Sequence, residues 1–359
     1  MSYGNDGDNL QAPGRGERKV RSMTMKLKSI LAVLAAGLIA SGCTPSTPVM
    51  FFAQWPFDAK EAALRQDETA SALGVPQEAA LDLGKGVSMK LNLIPAGRFM
   101  LGSPNEEKGR QQDEGPLHEA RISQPFYMGA SNVTRGQFAA FVKETGYKTD
   151  VEKGGSEVVW DGFNLKTVKG VPWNKPGFDQ TDEHPVVCVS YNDAVAFCKW
   201  LSRKTGQAVK LPTEAQWEFA ARAGTGTLYI WGDNPDDGKG WCNGNDLTAK
   251  KKFSDKGEYF NWDDGYLYTS PVGKFKPNAF GLYDTHGNAA VWCGDWYDKD
   301  YYAKSPRTDP QGPVFGKTRV VRGGCWGHYP VHDRSAYRLG LNPANGFNYV
   351  GFRVVVLPN

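Results

Sequence analysis

Chemistry is most concentrated late in the chain, where Cys325, His328 and His332 fall within eight residues and read Cys-x2-His-x3-His, with Asp333 adjoining. A thiolate, two imidazoles and a carboxylate are competent ligands for copper or another transition metal. All four stand in one segment, so a single loop must fold back to bring them to one point; otherwise they are ordinary loop packing. A third use is nucleophilic, with Cys325 attacking and His328 or His332 as its base. The spacing leaves these alternatives open.

Other elements must hold that loop. Thr134 can cap a helix through Gly146 that buries Phe138, Phe141 and Val142. Ser190 can cap a second, in which Ala194, Phe197, Cys198 and Leu201 recur at helical spacing until Gly206. Thr213, with Gln216 three residues on, has the spacing of a capping box, and Gly224 is the expected stop. A mostly polar helix is expected over 58–73, between Asp58 and Gly74. Val87, Met89, Leu91 and Leu93 alternate as a strand does, and Gly97 and Gly102 bracket another short one at Arg98–Leu101. Beyond Gly224 no long helical period appears, so short strands and ordered loops must position the Cys325 segment. With 42 glycines and 11 tryptophans, the expectation is an α+β body, loop-rich with short strands and about three helices, anchored by aromatic residues. Trp217, Trp292, Trp296 and Trp326 read as such anchors.

The formal charge is +3 with both signs spread along the chain, and no basic run suggests nucleic acid. At the other end, Lys26 and Lys28 precede the apolar run 30–40, which leads into Ala40-Ser41-Gly42-Cys43. A basic stretch, a short apolar run and small residues before a cleavage point define a secretory signal. The run is too short for a bilayer span, which needs about 20 apolar residues. Its end resembles a lipobox, in which the cysteine is acylated, although Ala40 stands where Leu is more usual. The expectation is an exported cell-envelope lipoprotein anchored at Cys43, with translation starting at Met25. Residues 1–43 are then extension and signal, 44–80 tether and short helix, and 81–359 the main domain. Export permits disulfides. Five cysteines remain beyond Cys43, an odd number, so at least one is unpaired within the chain.

Several segments carry a resemblance. They are Ile94-Pro-Ala-Gly-Arg-Phe-Met-Leu-Gly-Ser103, Asp113-Glu-Gly-Pro-Leu-His118, Leu211-Pro-Thr-Glu-Ala-Gln-Trp-Glu-Phe-Ala-Ala-Arg222, Asn278-Ala-Phe-Gly-Leu-Tyr-Asp284, Gly287-Asn288, Arg322-Gly-Gly324 and Gly351-Phe-Arg353. In this order, and over nearly all of residues 87–354, they resemble the sulfatase-modifying-factor, or formylglycine-generating-enzyme, family. The resemblance implies that family's variant of the C-type-lectin-like fold. Structural roles are expected for most of the pieces. Asp113 and His118 would clamp a loop, Arg322 and Arg353 would meet buried carboxylates, and Gly323-Gly324 would permit a close backbone approach.

The resemblance also implies calcium, a hard cation that takes oxygen ligands. Asn245 and Asp264 would supply side-chain oxygens at the first family site, and Asp246 and Tyr266 carbonyls. At the second site Asn288 remains, but Val291 stands where a Glu would ligate, so that site is expected to be weak. Family enzymes oxidise a substrate cysteine with oxygen, using two copper-binding cysteines three and eight residues after the Ser of Arg-Gly-Gly-Ser. The counted positions here hold Cys325, His328 and Asp333, so that mechanism does not carry over. Two functions compete. One is an oxidase acting on a peptide or secreted sulfatase through a rebuilt site at Cys325, His328 and Asp333. The other is a non-catalytic envelope lipoprotein that binds protein, peptide or glycan.

Overall fold

A computed structural model describes residues 49–161, 164–253 and 257–358. Cys43 and its signal lie outside the described residues. From Thr47 onward the chain forms one compact unit. Four short sheets and five α-helices make up its α+β body.

The helices begin and end where their caps require. Helix α1 (Ala59–Leu73) starts at Asp58, whose side chain accepts from the Glu61 N–H, and stops at left-handed Gly74. α2 (Arg135–Thr145) and α3 (Tyr191–Thr205) carry reciprocal capping boxes at Thr134/Gln137 and Ser190/Asp193, and end at Gly146 and Gly206. Their apolar faces meet: Phe138 stacks on Phe197, and both contact Phe352. α4 (Glu214–Arg222) has the expected Thr213/Gln216 box, but its cap is Ala223 at φ 45°, not Gly224. Gly224 follows at φ 102°, and any Cβ there would lie 2.3 Å from the Phe57 carbonyl. α5 (Leu247–Phe253) is seven residues long, too short to show a period in the sequence.

A tether is expected within 44–80; its residues 44–48 lie outside the described residues, and Phe51–Phe57 are packed on the domain. Phe51–Phe52 pairs in parallel with Ala96–Gly97, and Trp55 and Phe57 pack on the core beside Phe99 and Phe280. Aromatic residues near a tether can bury apolar area on the domain, and burial outweighs the ordering of a few residues. Among the described residues no helix is long and apolar enough to cross a membrane.

Two sheets build the candidate site. Leu339–Leu341, Arg319–Arg322, Ala290–Trp296 and Val350–Phe352 lie side by side in that order. The hairpin Ser156–Trp160/Leu165–Lys169 joins Gly346–Phe347 in the other. Trp217, Trp292 and Trp326 are fully buried beneath them, as expected of anchors, while Trp296 is only partly covered.

Candidate functional site

The segment that follows strand Arg319–Arg322 is fixed at both ends by buried arginines. Arg322 reaches Glu218 of α4 and donates to the Ser335 and Ala336 carbonyls. Arg338 forms a forked pair with Glu214, one turn earlier on α4, at 2.6 and 2.8 Å. Arg334 binds Glu114 and Glu107 on a separate loop. Arg222, four residues after Glu218, completes the group at 2.9 Å. Glu214, Glu218 and Arg222 therefore share one buried face of α4, which has turned charged residues inward. A buried charge without a partner is strongly unfavourable, so this set must stay complete. The expectation of a carboxylate partner holds for Arg322 but not for Arg353. That side chain donates to the carbonyls of Gly129, Ala130 and Tyr283 and to Asn132. Asp113 accepts from the Tyr297 hydroxyl, and His118 packs edge-on against Tyr302, which suits the expected loop clamp.

Held this way, residues 325–337 form one side of a cavity of about 280 Å³. Trp160 and Leu165 of the hairpin close it from the opposite side, with Tyr337, Leu339, Leu341 and Tyr349 completing an apolar lining. Cys325, His328 and His332 also line it. Tyr329 and His332 are shared with a second, more polar cavity of about 680 Å³ that includes Lys108, Asp233, Glu258 and Arg334. The two form one run of concave surface, apolar at one end and charged at the other.

Burial shifts each reactive group in and beside the smaller cavity away from its charged form. Burial pushes the Cys325 thiol well above its ordinary range, with Asp333 adding to the shift; only the thiolate is a nucleophile or a metal ligand. His328 keeps a fifth of its side chain open, yet burial, then His332, holds its imidazole below the usual range. Asp333 is fully covered, and burial raises its carboxyl well above normal. Its Oδ1 accepts the Cys325 N–H at 3.2 Å, and a Cβ on Gly324 would lie 1.7 Å from that oxygen. Gly324 is thus the close approach expected of the Gly-Gly pair. His328 Nδ1 stands 4.0 Å from Asp333 Oδ1, beyond hydrogen-bonding range.

Among the described residues no three His, Cys, Asp or Glu side chains converge where they could hold a metal ion. Cys325, His328 and His332 are therefore neighbours around a cavity, not the three-ligand cluster that their spacing allows. Cys325 reaches the cavity from within the main apolar core. The five described cysteines are all buried and free.

The calcium residues come together differently. Asp246 Oδ2 accepts the Asp264 N–H at 2.6 Å, and Asp264 accepts the N–H groups of Tyr266 and Gly244. Burial and then the nearby Asp246 raise the Asp264 carboxyl to about 8. Two carboxylates held together are what a divalent cation relieves; their oxygens also accept backbone N–H groups, and the Asp246 carbonyl accepts that of Lys250. Asn288 differs: its amide is taken up by the Ser270 backbone, accepting at 3.0 Å and donating at 3.2 Å, and Val291 is core.

The model of the sulfatase-modifying factor enzyme 1-like domain matches residues 86–357. A formylglycine-generating enzyme of Streptomyces coelicolor is 37% identical over 286 residues, covering 72% of this chain and 87% of that protein. The inactive C-alpha-formylglycine-generating enzyme 2 of Bos taurus is 32% identical over 304 residues, covering 76% and 90%. The structure of PvdO from Pseudomonas aeruginosa superposes with a TM-score of 0.64 at 30% identity, covering 78% of this chain and 98% of PvdO. With a matching domain model across most of its length, the buried α4 clamp and the Arg-Gly-Gly loop in place, this chain belongs to the sulfatase-modifying-factor, or formylglycine-generating-enzyme, family.

Proposed function

We propose that the chain is a non-catalytic binding member of its family, taking an apolar or aromatic peptide side chain into the smaller cavity. The observation that carries this reading is the state of three positions. Where family enzymes place a serine and two copper-binding cysteines, this chain has Cys325, His328 and Asp333: Cys325 and His328 line a mainly apolar cavity, and Asp333 is fully covered, its carboxyl accepting the Cys325 N–H. Copper(I) calls for soft thiolate ligands, and the two copper positions hold His328 and Asp333 instead. The adjoining polar cavity suits the flanking peptide chain. That a relative is named an inactive enzyme supports the same direction. The protein would be exported and anchored through Cys43.

Panning a random peptide library against the full chain tests the binding site. Enriched peptides are expected to carry an aromatic or large aliphatic residue. Leu165→Asp, at an exposed position on the hairpin, should weaken them about tenfold, or about 1.4 kcal/mol, with an unchanged melting temperature. Peptides without such a residue, or indifferent to Leu165→Asp, would remove this cavity from the account.

Calcium is the proposed structural ion, held by Asn245 and Asp264 side chains and by the Asp246 and Tyr266 carbonyls. Once bound, it neutralises the paired carboxylates. At a hundredfold excess over its Kd it should add about 2.7 kcal/mol to wild-type stability. Asp264→Asn should abolish that gain while melting near the wild type in chelator. An equal calcium gain in both proteins would sink the assignment.

A further inference from the structure

The two most exposed large apolar residues of the described chain are neighbours, Val314 at 94% and Phe315 at 84%. They form the tip of a loop whose base is rigid. Gly312 and Gly316 are both packed so tightly against Trp296 that a Cβ on either would collide with it or with Asp295. Further back, the Arg121 N–H donates to the Arg307 carbonyl, the Asp309 N–H donates to the Arg121 carbonyl, and Asp309 accepts from Ser123. An apolar pair on a firmly seated loop is a presented surface, not a frayed end.

The strand order says which way the loop leaves. Phe51–Phe52 runs parallel to Ala96–Leu101, with Phe51 opposite Ala96. His118–Ile122 is antiparallel to that strand, so its C-terminal end lies beside Ala96. Thr308 bridges Arg121 in parallel. The chain running back from Phe51 and the chain running forward from Asp309 therefore depart from the same end of one sheet. Three strand spacings, about 14 Å, separate them. The seven residues between Cys43 and Phe51 reach at most about 25 Å. Arg307 and Lys317 flank the tip against a single acid between them, Asp309, while Lys304 is paired with Asp298 at 2.7 Å. Apolar residues flanked by cations match a bilayer surface with anionic headgroups.

We propose that Val314 and Phe315 insert into the surface of the same bilayer that holds the acylated Cys43, as a second attachment point. This rests on the lipid-anchor reading above. Lipidation at one cysteine holds the chain on the bilayer but leaves the body free to swing, and a second contact fixes its orientation. With both contacts made, the body is held by one end.

The test uses the full acylated chain on vesicles of phosphatidylethanolamine and phosphatidylglycerol. An environment-sensitive fluorophore is placed at Phe315→Cys or, as control, at exposed Leu165→Cys; the native described cysteines are all buried. Lipid-borne quencher is expected to act at least about threefold more strongly at 315 than at 165, with a blue shift at 315 alone. Equal quenching while the chain floats with the vesicles overturns the proposal and leaves the anchor standing. If neither the wild type nor Cys43→Ala floats, the anchor reading itself fails and the loop loses its bilayer. A blue shift at 315 that appears without vesicles and grows with protein concentration assigns the tip to a second copy, which also overturns the proposal.

Discussion

Glu218→Ala is expected to lower stability by about 3–5 kcal/mol, because it strands the Arg222 charge in the interior and leaves Arg322 only its longer contact to Glu214 at 3.5 Å. Both guanidiniums are almost completely buried, and Glu218 is fully so. It also accepts the Gly102 N–H at 3.1 Å, and Arg222 donates to the Gly102 carbonyl, so one carboxylate ties α4 to two separate segments. The melting temperature should fall by roughly 10 °C. Glu218→Gln keeps the shape and some hydrogen bonds but not the charge, and should lie between. The loop carrying Cys325 and His328 begins directly after Arg322, so the variant should also lose peptide binding before it unfolds. Denaturant melts of the three proteins check the order. A loss below about 1 kcal/mol for Glu218→Ala, the range of an exposed pair, would mean that the clamp is not a buried one.

The second large effect concerns Glu157, on the strand that carries Trp160 to the cavity. It is fully buried and neither carboxylate oxygen has a hydrogen-bond acceptor role filled by a described backbone donor. Its neighbour is the Cys188 thiol, on a residue at φ 60°. Burial raises the Glu157 carboxyl from 4.5 to about 7. A carboxyl raised by folding leaves stability at its full value below about pH 4.5. Stability is then lost as pH climbs to about 7 and is level above that. The loss amounts to about 3 kcal/mol. Glu157→Gln should remove this slope and melt higher than the wild type at pH 8, with little difference at pH 4. Identical pH profiles for the two proteins would show that Glu157 is solvated in the folded state.

Much of the scaffold is legible in the chain because helix ends obey local rules. Asp58, Thr134, Ser190 and Thr213 each cap as their spacing requires, and Gly74, Gly146 and Gly206 stop their helices. The end of α4 is the exception. Contact with Phe57 sets the backbone there, and no local rule reports a residue so distant in sequence. The same limit hides the clamp. Glu214, Glu218, Arg322 and Arg338 look like surface charges until long-range pairing buries them. A helix that places Glu214, Glu218 and Arg222 among Ala215, Phe219 and Ala221 was the one available signal, since no polar face is left over.

The candidate site was half visible. The Cys325–Asp333 segment identifies itself by residue type, but its cavity is closed by Trp160 and Leu165, far away in sequence. Their hairpin is short and lacks clean alternation, with Glu157 buried among partly covered apolar residues. Spacing also could not tell that Cys325 is fully buried in the cavity wall while His328 keeps a fifth of its side chain open. That difference separates a ligand cluster from a lined pocket.

The central claim is that the cavity beside Cys325 and His328 binds and does not oxidise. The most direct measurement is oxygen uptake by the full chain titrated with copper(I), in the presence of a cysteine-containing peptide. The account predicts uptake no faster than copper and peptide alone, and the same for Cys325→Ala. Copper retained in stoichiometric amount, with oxygen consumption that disappears in Cys325→Ala, would contradict it and establish a rebuilt oxidase site.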